Sequence, residues 1–271
     1  MTIKEAEERL RTAGVPDPRD EARRIFSLIG KVPHHRLLSP IYETGDERII
    51  LAIDKRCERI PLAYIIGEVD FYREKYRITP DCLIPRPDTE ILVERAISLL
   101  PEGARFLDLC TGSGCVALSV LKNTKNTRAV AVDISETALA VAKENAARLG
   151  LSDRIEFIKC DVLKKGIEGD FFAVLSNPPY VSESAYASLE EEIYREPRIA
   201  FLGGEDGADF YRALTPLYRE ICERGGFIAY EIGYDQGEVL KKIAEENSLH
   251  CEVIPDLSGN DRVALLGAPK E

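Results

Sequence analysis

The residues with the most chemical content in this sequence are Asn177, Pro178, Pro179 and Tyr180, which follow the apolar run Phe172-Ala173-Val174-Leu175 and Ser176. Proline has no N–H and a fixed φ, so two in succession stiffen the backbone and present carbonyl oxygens without competing donors. The Asn177 side-chain oxygen and the Pro178 carbonyl then make a pair of acceptors able to receive both hydrogens of one –NH2 group. Such a pair suits chemistry at a planar nitrogen, whose delocalised lone pair must be drawn partly out of conjugation before it can attack an electrophile. Acceptors already in place favour the transition state, where the N–H bonds become more acidic. Tyr180 adds a ring that can stack on a planar target, against the alternative of plain core packing.

A second constellation is the turn Cys110-Thr111-Gly112-Ser113-Gly114, directly after Phe106-Leu107-Asp108-Leu109. Glycine offers no Cβ to obstruct a ligand and tolerates positive φ, and the N–H groups at the start of the following helix attract a negatively charged group. Gly112, Gly114 and Ala117 also satisfy the pattern of nicotinamide-binding domains, and Asp133, an acid ending the second strand, serves ribose hydroxyls in either case. The loop alone therefore leaves two cofactors open. Asp161 ends a third strand, where it could accept from the exocyclic amine of adenine with Val162 against the ring; a turn cap is the equal alternative for a lone Asp. An oxidoreductase has no use for the acceptor pair at Asn177 and Pro178, and that points to S-adenosylmethionine in the crevice.

Positioning these residues requires an open α/β sheet. Strands are expected at Arg105–Leu109, Ala129–Asp133, Ile155–Cys160, Phe172–Ser176, Gly226–Glu231, His250–Pro255 and Arg262–Gly267, with helices between them. The clearest helix runs from Glu136 to Leu149, with Ser135 as N-cap and Gly150 past its end. Alternation of this kind builds a mostly parallel sheet covered on both faces, with ligands in the crevice outside the carboxyl ends of its strands. Asp88 is placed to cap the helix carrying Ile91, Leu92, Ala96 and Leu99. Upstream, apolar residues recur at helical spacing from Thr2 to Ile66, and two β-prone runs, Val69–Tyr72 and Tyr76–Thr79, flank Arg73-Glu74-Lys75 as a hairpin.

At 271 residues and 45% hydrophobic content the chain suits one catalytic domain with an appendage. The charged opening MTIKEAEERLRTAG and the lack of a bilayer-length apolar run predict a cytoplasmic protein. Seven dispersed cysteines without CxxC, and only His34, His35 and His250, argue against a metal. A net charge of −11 makes a nucleic acid an unfavourable partner.

These residues together resemble the HemK/PrmC family of peptide chain release factor glutamine N(5)-methyltransferases. The likeness runs through Leu62-Ala63-Tyr64-Ile65-Ile66-Gly67-Glu68, Ile84-Pro85-Arg86-Pro87-Asp88-Thr89-Glu90, the glycine loop, Asn177 to Tyr180, Glu196-Pro197, Gly203-Gly204, Asp206-Gly207 and Glu231-Ile232-Gly233. It implies a class I S-adenosylmethionine-dependent methyltransferase fold, Rossmann-like, with a seven-stranded, mostly parallel sheet and a final antiparallel strand. The expected domains are a helical substrate-recognition module of five-helix type (1–67), a β-hairpin linker (68–84) and the catalytic domain (85–271). The implied substrate is the glutamine of the GGQ loop in class 1 release factors. Cys110 to Gly114, Asp133, Asp161, Val162, Asn177 and Arg86 are implied at the cofactor, and Asn177 to Tyr180 at the target amide. The family usually carries glycine where this chain has Cys110. Three other readings stay open: a glutamine methyltransferase acting on a ribosomal protein, an adenine N(6)-methyltransferase acting on DNA or RNA, and a non-catalytic binding protein.

Overall fold

The computed structural model describes residues 1–39 and 41–267. The last four residues of the expected catalytic segment 85–271 lie outside the described residues. Five helices come first: α1 (Ile3–Thr12), α2 (Pro18–Leu28), α3 (His34–Leu37), α4 (Glu47–Cys57) and α5 (Leu62–Ile66). Thr2 opens α1 with a reciprocal cap, its hydroxyl accepting from Glu5 N while the Glu5 carboxylate accepts from Thr2 N. Ile3, Ala6, Leu10, Ala22, Ile25, Phe26, Ile49 and Ile53 recur at helical spacing because these helices bury them in a core of their own.

The hairpin pairs β1 (Glu68–Phe71) with β2 (Glu74–Arg77). Here the expected boundaries need correction, since Glu74 and Lys75 lie in the second strand. Tyr72 and Arg73 alone make the turn, both at positive φ (46° and 68°), as a two-residue loop matching strand twist requires. Tyr76 is fully buried, and its hydroxyl meets Ser119 Oγ at 2.7 Å, fastening the hairpin to the sheet's helical cover.

Beyond the hairpin, strands and helices alternate: α6 (Glu90–Leu99), β3 (Arg105–Leu109), α7 (Cys115–Asn123), β4 (Arg128–Asp133), α8 (Glu136–Leu149), β5 (Ile155–Lys159) and β6 (Ala173–Ser176). They continue with α9 (Glu183–Tyr186), α10 (Asp209–Glu223), β7 (Phe227–Glu231), α11 (Gly237–Glu246), β8 (His250–Pro255) and β9 (Asp261–Gly267). Seven strands order as β5-β4-β3-β6-β7-β9-β8, with β9 antiparallel to both its neighbours. The mostly parallel sheet and the antiparallel final strand agree with the expected fold class. Along β3 the pleat sends Phe106 to the core beneath α6 and α7, and Leu107 and Leu109 to the core beneath α10 and α11.

Asp88 does not cap α6. A 3-10 turn, Pro87–Thr89, precedes the helix, and the carboxylate of Asp88 instead lies 3.5 Å from the Arg262 guanidinium. Thr89 stands at the cap position without capping, because its hydroxyl is engaged elsewhere, as described below.

The order of strands reverses between β3 and β6, so the loops leaving their carboxyl ends diverge and open a crevice. The five helices abut this half through Arg56, 1% exposed, whose guanidinium pairs with Glu21 and, at 2.7 Å, with Glu192. A buried cation is tolerable only when its charge and donors are met, and two carboxylates meet them here.

Candidate active site

The loop after β3 is held from below by Asp108. Its Oδ2 accepts from the Thr111 hydroxyl at 2.5 Å and from Ala117 N at 3.1 Å, so one buried carboxylate ties both sides of the turn to the start of α7. Burial pushes this carboxyl up to about 7 despite those bonds. Sequence reasoning passed over Asp108, although an acid inside the otherwise apolar run Phe106 to Leu109 is itself a signal of a buried partner. Gly112, at φ 54°, faces open space, and its N–H donates to Asp133 Oδ2 at 2.8 Å. Cys110 also sits at positive φ, 60°, which explains why glycine suits that position; a side chain there carries a steric cost of about 1 kcal/mol.

A cavity of about 290 Å³ opens above the crevice, near the lower end of volumes typical for small-molecule sites. Of the residues singled out in the sequence, Cys110, Gly112, Asp133, Asp161, Val162, Asn177 and Pro179 line it. Thr111 and Ser113 are buried beneath the loop, and Gly114 sets the start of α7. Asp133, raised by burial and pulled back by N–H groups of Ser135 and Gly112, offers its carboxylate to the cavity. Asp161 caps its own turn through Leu163 N and pairs with Lys164 at 2.9 Å, while still lining the cavity.

A second, larger cavity of about 730 Å³ lies beside the first, and Asn177 lines both. Arg86 belongs to this second cavity and not to the first, its guanidinium paired with the buried Glu196, whose other oxygen accepts from Ile84 N at 2.9 Å. Tyr180 lines it too, with its hydroxyl donating to Glu231 Oε1 at 3.3 Å. Six acids, Glu190, Glu192, Glu196, Asp206, Glu231 and Asp235, face it with Arg86 and Arg262, and Glu192, Glu196 and Asp206 are each paired with arginine.

The decisive contact is made by Asn177. Its Nδ2 donates to Thr89 Oγ1 at 3.3 Å, and no donor of the described residues takes its Oδ1. An amide fixed by its nitrogen leaves its oxygen as an acceptor at the junction of the two cavities. Thr89, 2% exposed, belongs to the Ile84 to Glu90 stretch that carries the resemblance, but its role depends on a contact across 88 positions.

A family model described as PrmC N-terminal domain matches residues 2–67, and one described as methyltransferase small domain matches residues 87–200. The chain is 38% identical over 275 residues to a release factor glutamine methyltransferase of Moorella thermoacetica, a match covering 98% of this chain and 96% of that protein. The chain belongs to the release factor glutamine methyltransferase family. Another member, from Caulobacter vibrioides, is 35% identical over 96% of this chain and 93% of its own length. Among solved structures, a ribosomal protein L11 methylase from Lactobacillus delbrueckii subsp. bulgaricus superimposes with a TM-score of 0.53 at 20% identity, covering 72% of this chain and 85% of that one, a likeness of fold alone. Asn177 stands where the two cavities meet. Among the described residues no helix is long and apolar enough to cross a membrane, and no group of three His, Cys, Asp or Glu is placed to hold a metal ion.

Proposed function

We propose that the protein transfers a methyl group from S-adenosylmethionine to the side-chain amide nitrogen of the glutamine in the GGQ loop of class 1 peptide chain release factors, in the cytoplasm. The observation that carries this reading is the orientation of Asn177, nitrogen toward Thr89 and oxygen toward the junction.

The smaller cavity fits the cofactor by the chemistry of its lining. Asp133 supplies a carboxylate for ribose hydroxyls, the bare backbone at Gly112 leaves room for close approach, and Ile134, Val162 and Leu163 offer apolar wall for a planar ring. When bound, S-adenosylmethionine supplies an electrophilic methyl group. The protein's own part is to present the nucleophile: Asn177 Oδ1 takes one amide hydrogen, the carbonyl of Pro178, a buried residue that lines neither cavity, is proposed for the other, and Tyr180 borders the planar group. A net charge of −11 repels a phosphate backbone, which favours a protein substrate over DNA or RNA.

Incubation with purified release factor and labelled cofactor, followed by mass spectrometry of the GGQ peptide, tests the reading; label on naked DNA and none on the peptide rejects it. Asp133→Ala is expected to weaken cofactor binding by roughly ten- to a hundredfold, the worth of a hydrogen bond to a charged group. Calorimetry returning wild-type affinity rejects the ribose role.

The helical module, residues 1–67, is proposed to grip the release factor beyond its reactive loop. Pro61 brings it to the edge of the larger cavity, and Arg195 Nη2 donates to Glu58 O at 2.9 Å across the contact. A chain starting at Glu68 should lose far more activity on whole release factor than on a short GGQ peptide. Equal losses on both substrates would remove that role.

A further inference from the structure

Glu231 ends β7, beside the strand that leads into Asn177, and is 1% exposed. It is an acid in the otherwise apolar run Phe227 to Ile232, and the strand needs no carboxylate for its pairing. Its Oε1 accepts from the Tyr180 hydroxyl at 3.3 Å, while Oε2 is buried with no partner in full hydrogen-bond geometry. Burial raises this carboxyl most, and the Thr89 hydroxyl, near Glu231 but outside full hydrogen-bond geometry with it, favours the ionised form. From β9, Arg262 also favours the charge, though it is shared with Asp256 at 3.2 Å and Asp88 at 3.5 Å, and Asp88 opposes it. From α10, Tyr211 donates to the Glu231 main-chain carbonyl at 2.9 Å and leaves the side chain alone.

These contacts form a line from Glu231 through Thr89 to Asn177, and hydrogen-bond polarity along it has a consequence. A carboxylate can only accept, so a charged Glu231 draws the proton of the neighbouring Thr89 hydroxyl toward itself and leaves the lone pair for Asn177, which donates to it at 3.3 Å. The Asn177 amide must then present Nδ2 to Thr89, as observed, and Oδ1 to the substrate. A neutral group at position 231 can donate instead, which frees Thr89 to donate to the amide oxygen. The amide then turns over, and the substrate –NH2 faces a donor where it needs an acceptor.

We propose that Glu231 is a positioning residue whose acceptor-only carboxylate, relayed by Thr89, sets which end of the Asn177 amide faces the substrate. This rests on the functional reading above. Burial pushes the Glu231 carboxyl up to about 7, so the relay changes state near neutral pH. Above that value the group is charged and the amide is correctly turned.

The test is steady-state kinetics from pH 5.5 to 8.5 with a GGQ peptide and S-adenosylmethionine, on wild-type enzyme and on Glu231→Gln. Wild-type kcat is expected to rise through about pH 7, and the variant to lose that limb and lie about tenfold or more below the wild-type plateau, with cofactor affinity unchanged. Folding is controlled by melting at pH 8. An acid whose pKa is raised in the folded state stabilises below its unfolded value near 4.5 and loses that contribution as pH rises to about 7, so the uncharged variant should melt no lower than wild type. In parallel, the Asn177 side-chain amide 15N resonances, assigned by loss in Asn177→Ala, should titrate in wild type and stand still in Glu231→Gln. A variant with the wild-type rate, the wild-type acid limb and a titrating amide overturns the proposal. Absence of methyl transfer by wild type at every pH rejects the functional reading instead, and the resonance titration then decides the relay by itself.

Discussion

Asn177→Ala is expected to lower turnover on release factor by a hundredfold or more while cofactor affinity stays within about twofold of wild type. The asymmetry follows from where the side chain sits. Asn177 borders the smaller cavity, but the polar group there that fits a ribose is Asp133, whose contacts to Gly112 and Ser135 do not pass through Asn177. Toward the larger cavity the Oδ1 atom has no competing donor of the described residues, so its loss removes an acceptor just where N–H acidity grows in the transition state. Deleting a preorganised polar partner of that kind costs roughly 3–4 kcal/mol, which corresponds to at least two powers of ten in rate. Single-turnover rates and calorimetric titration of the cofactor check the two halves separately. Unchanged turnover takes Asn177 out of the chemistry; a fall in cofactor affinity as large as the fall in rate shows a structural role.

What could be read from the sequence follows the range of the interactions. Helix α8 was legible to the residue because its determinants are local: the Ser135 hydroxyl accepts from Ala138 N, and Gly150 adopts φ 70° past the last turn. The mostly parallel sheet was legible in the alternation of apolar runs and the antiparallel β9 through the resemblance, while the order of the strands was not read and some strand ends shifted by a residue because fraying ends carry little pattern. The hairpin was misplaced by its turn, since Tyr72 and Arg73 are poor formers of positive φ and propensity alone favoured the charged triplet. The helix cap at Asp88 failed for another reason. Thr89 and Asp88 are drawn into contacts with Asn177 and Arg262, partners 88 and 174 positions away, and no local rule anticipates that.

The same limit applied at the site. Asn177, Gly112 and Asp133 carry their chemistry in residue type and position, whereas Thr89, Asp108, Glu196 and Glu231 acquire theirs from burial. An acid in an apolar strand was the cue for Asp108, and for Glu231 it stood beside the motif Glu231-Ile232-Gly233. Arg86 shows the converse: the resemblance implied it at the cofactor, whereas its pairing with Glu196 turns it toward the larger cavity and away from the smaller one.

Gly207→Ala is the substitution expected to disable the site from behind. Gly207 adopts φ 80°, and a Cβ there would stand 2.2 Å from the Tyr180 carbonyl oxygen and 2.9 Å from Gln236 Nε2. Those two atoms are hydrogen-bonded to each other at 3.1 Å, so the added methyl forces apart the contact that seats Tyr180. Two prolines make the preceding backbone too stiff to absorb the shift, and it passes to Asn177. Left-handed strain of about 1–2 kcal/mol and overpacking of about 1–3 kcal/mol add to a loss of roughly 2–5 kcal/mol in stability. Turnover of the fraction that remains folded should fall tenfold to a hundredfold, since a displacement near 1 Å is enough to spoil alignment. Gly225→Ala provides the control. At φ 86° it incurs the same backbone strain, but its Cβ meets nothing within 4 Å, so it should lose about 1–2 kcal/mol and keep full turnover. If denaturant titration and kinetics find the two variants alike in activity, the loop around Gly207 is not what holds the acceptor pair in place.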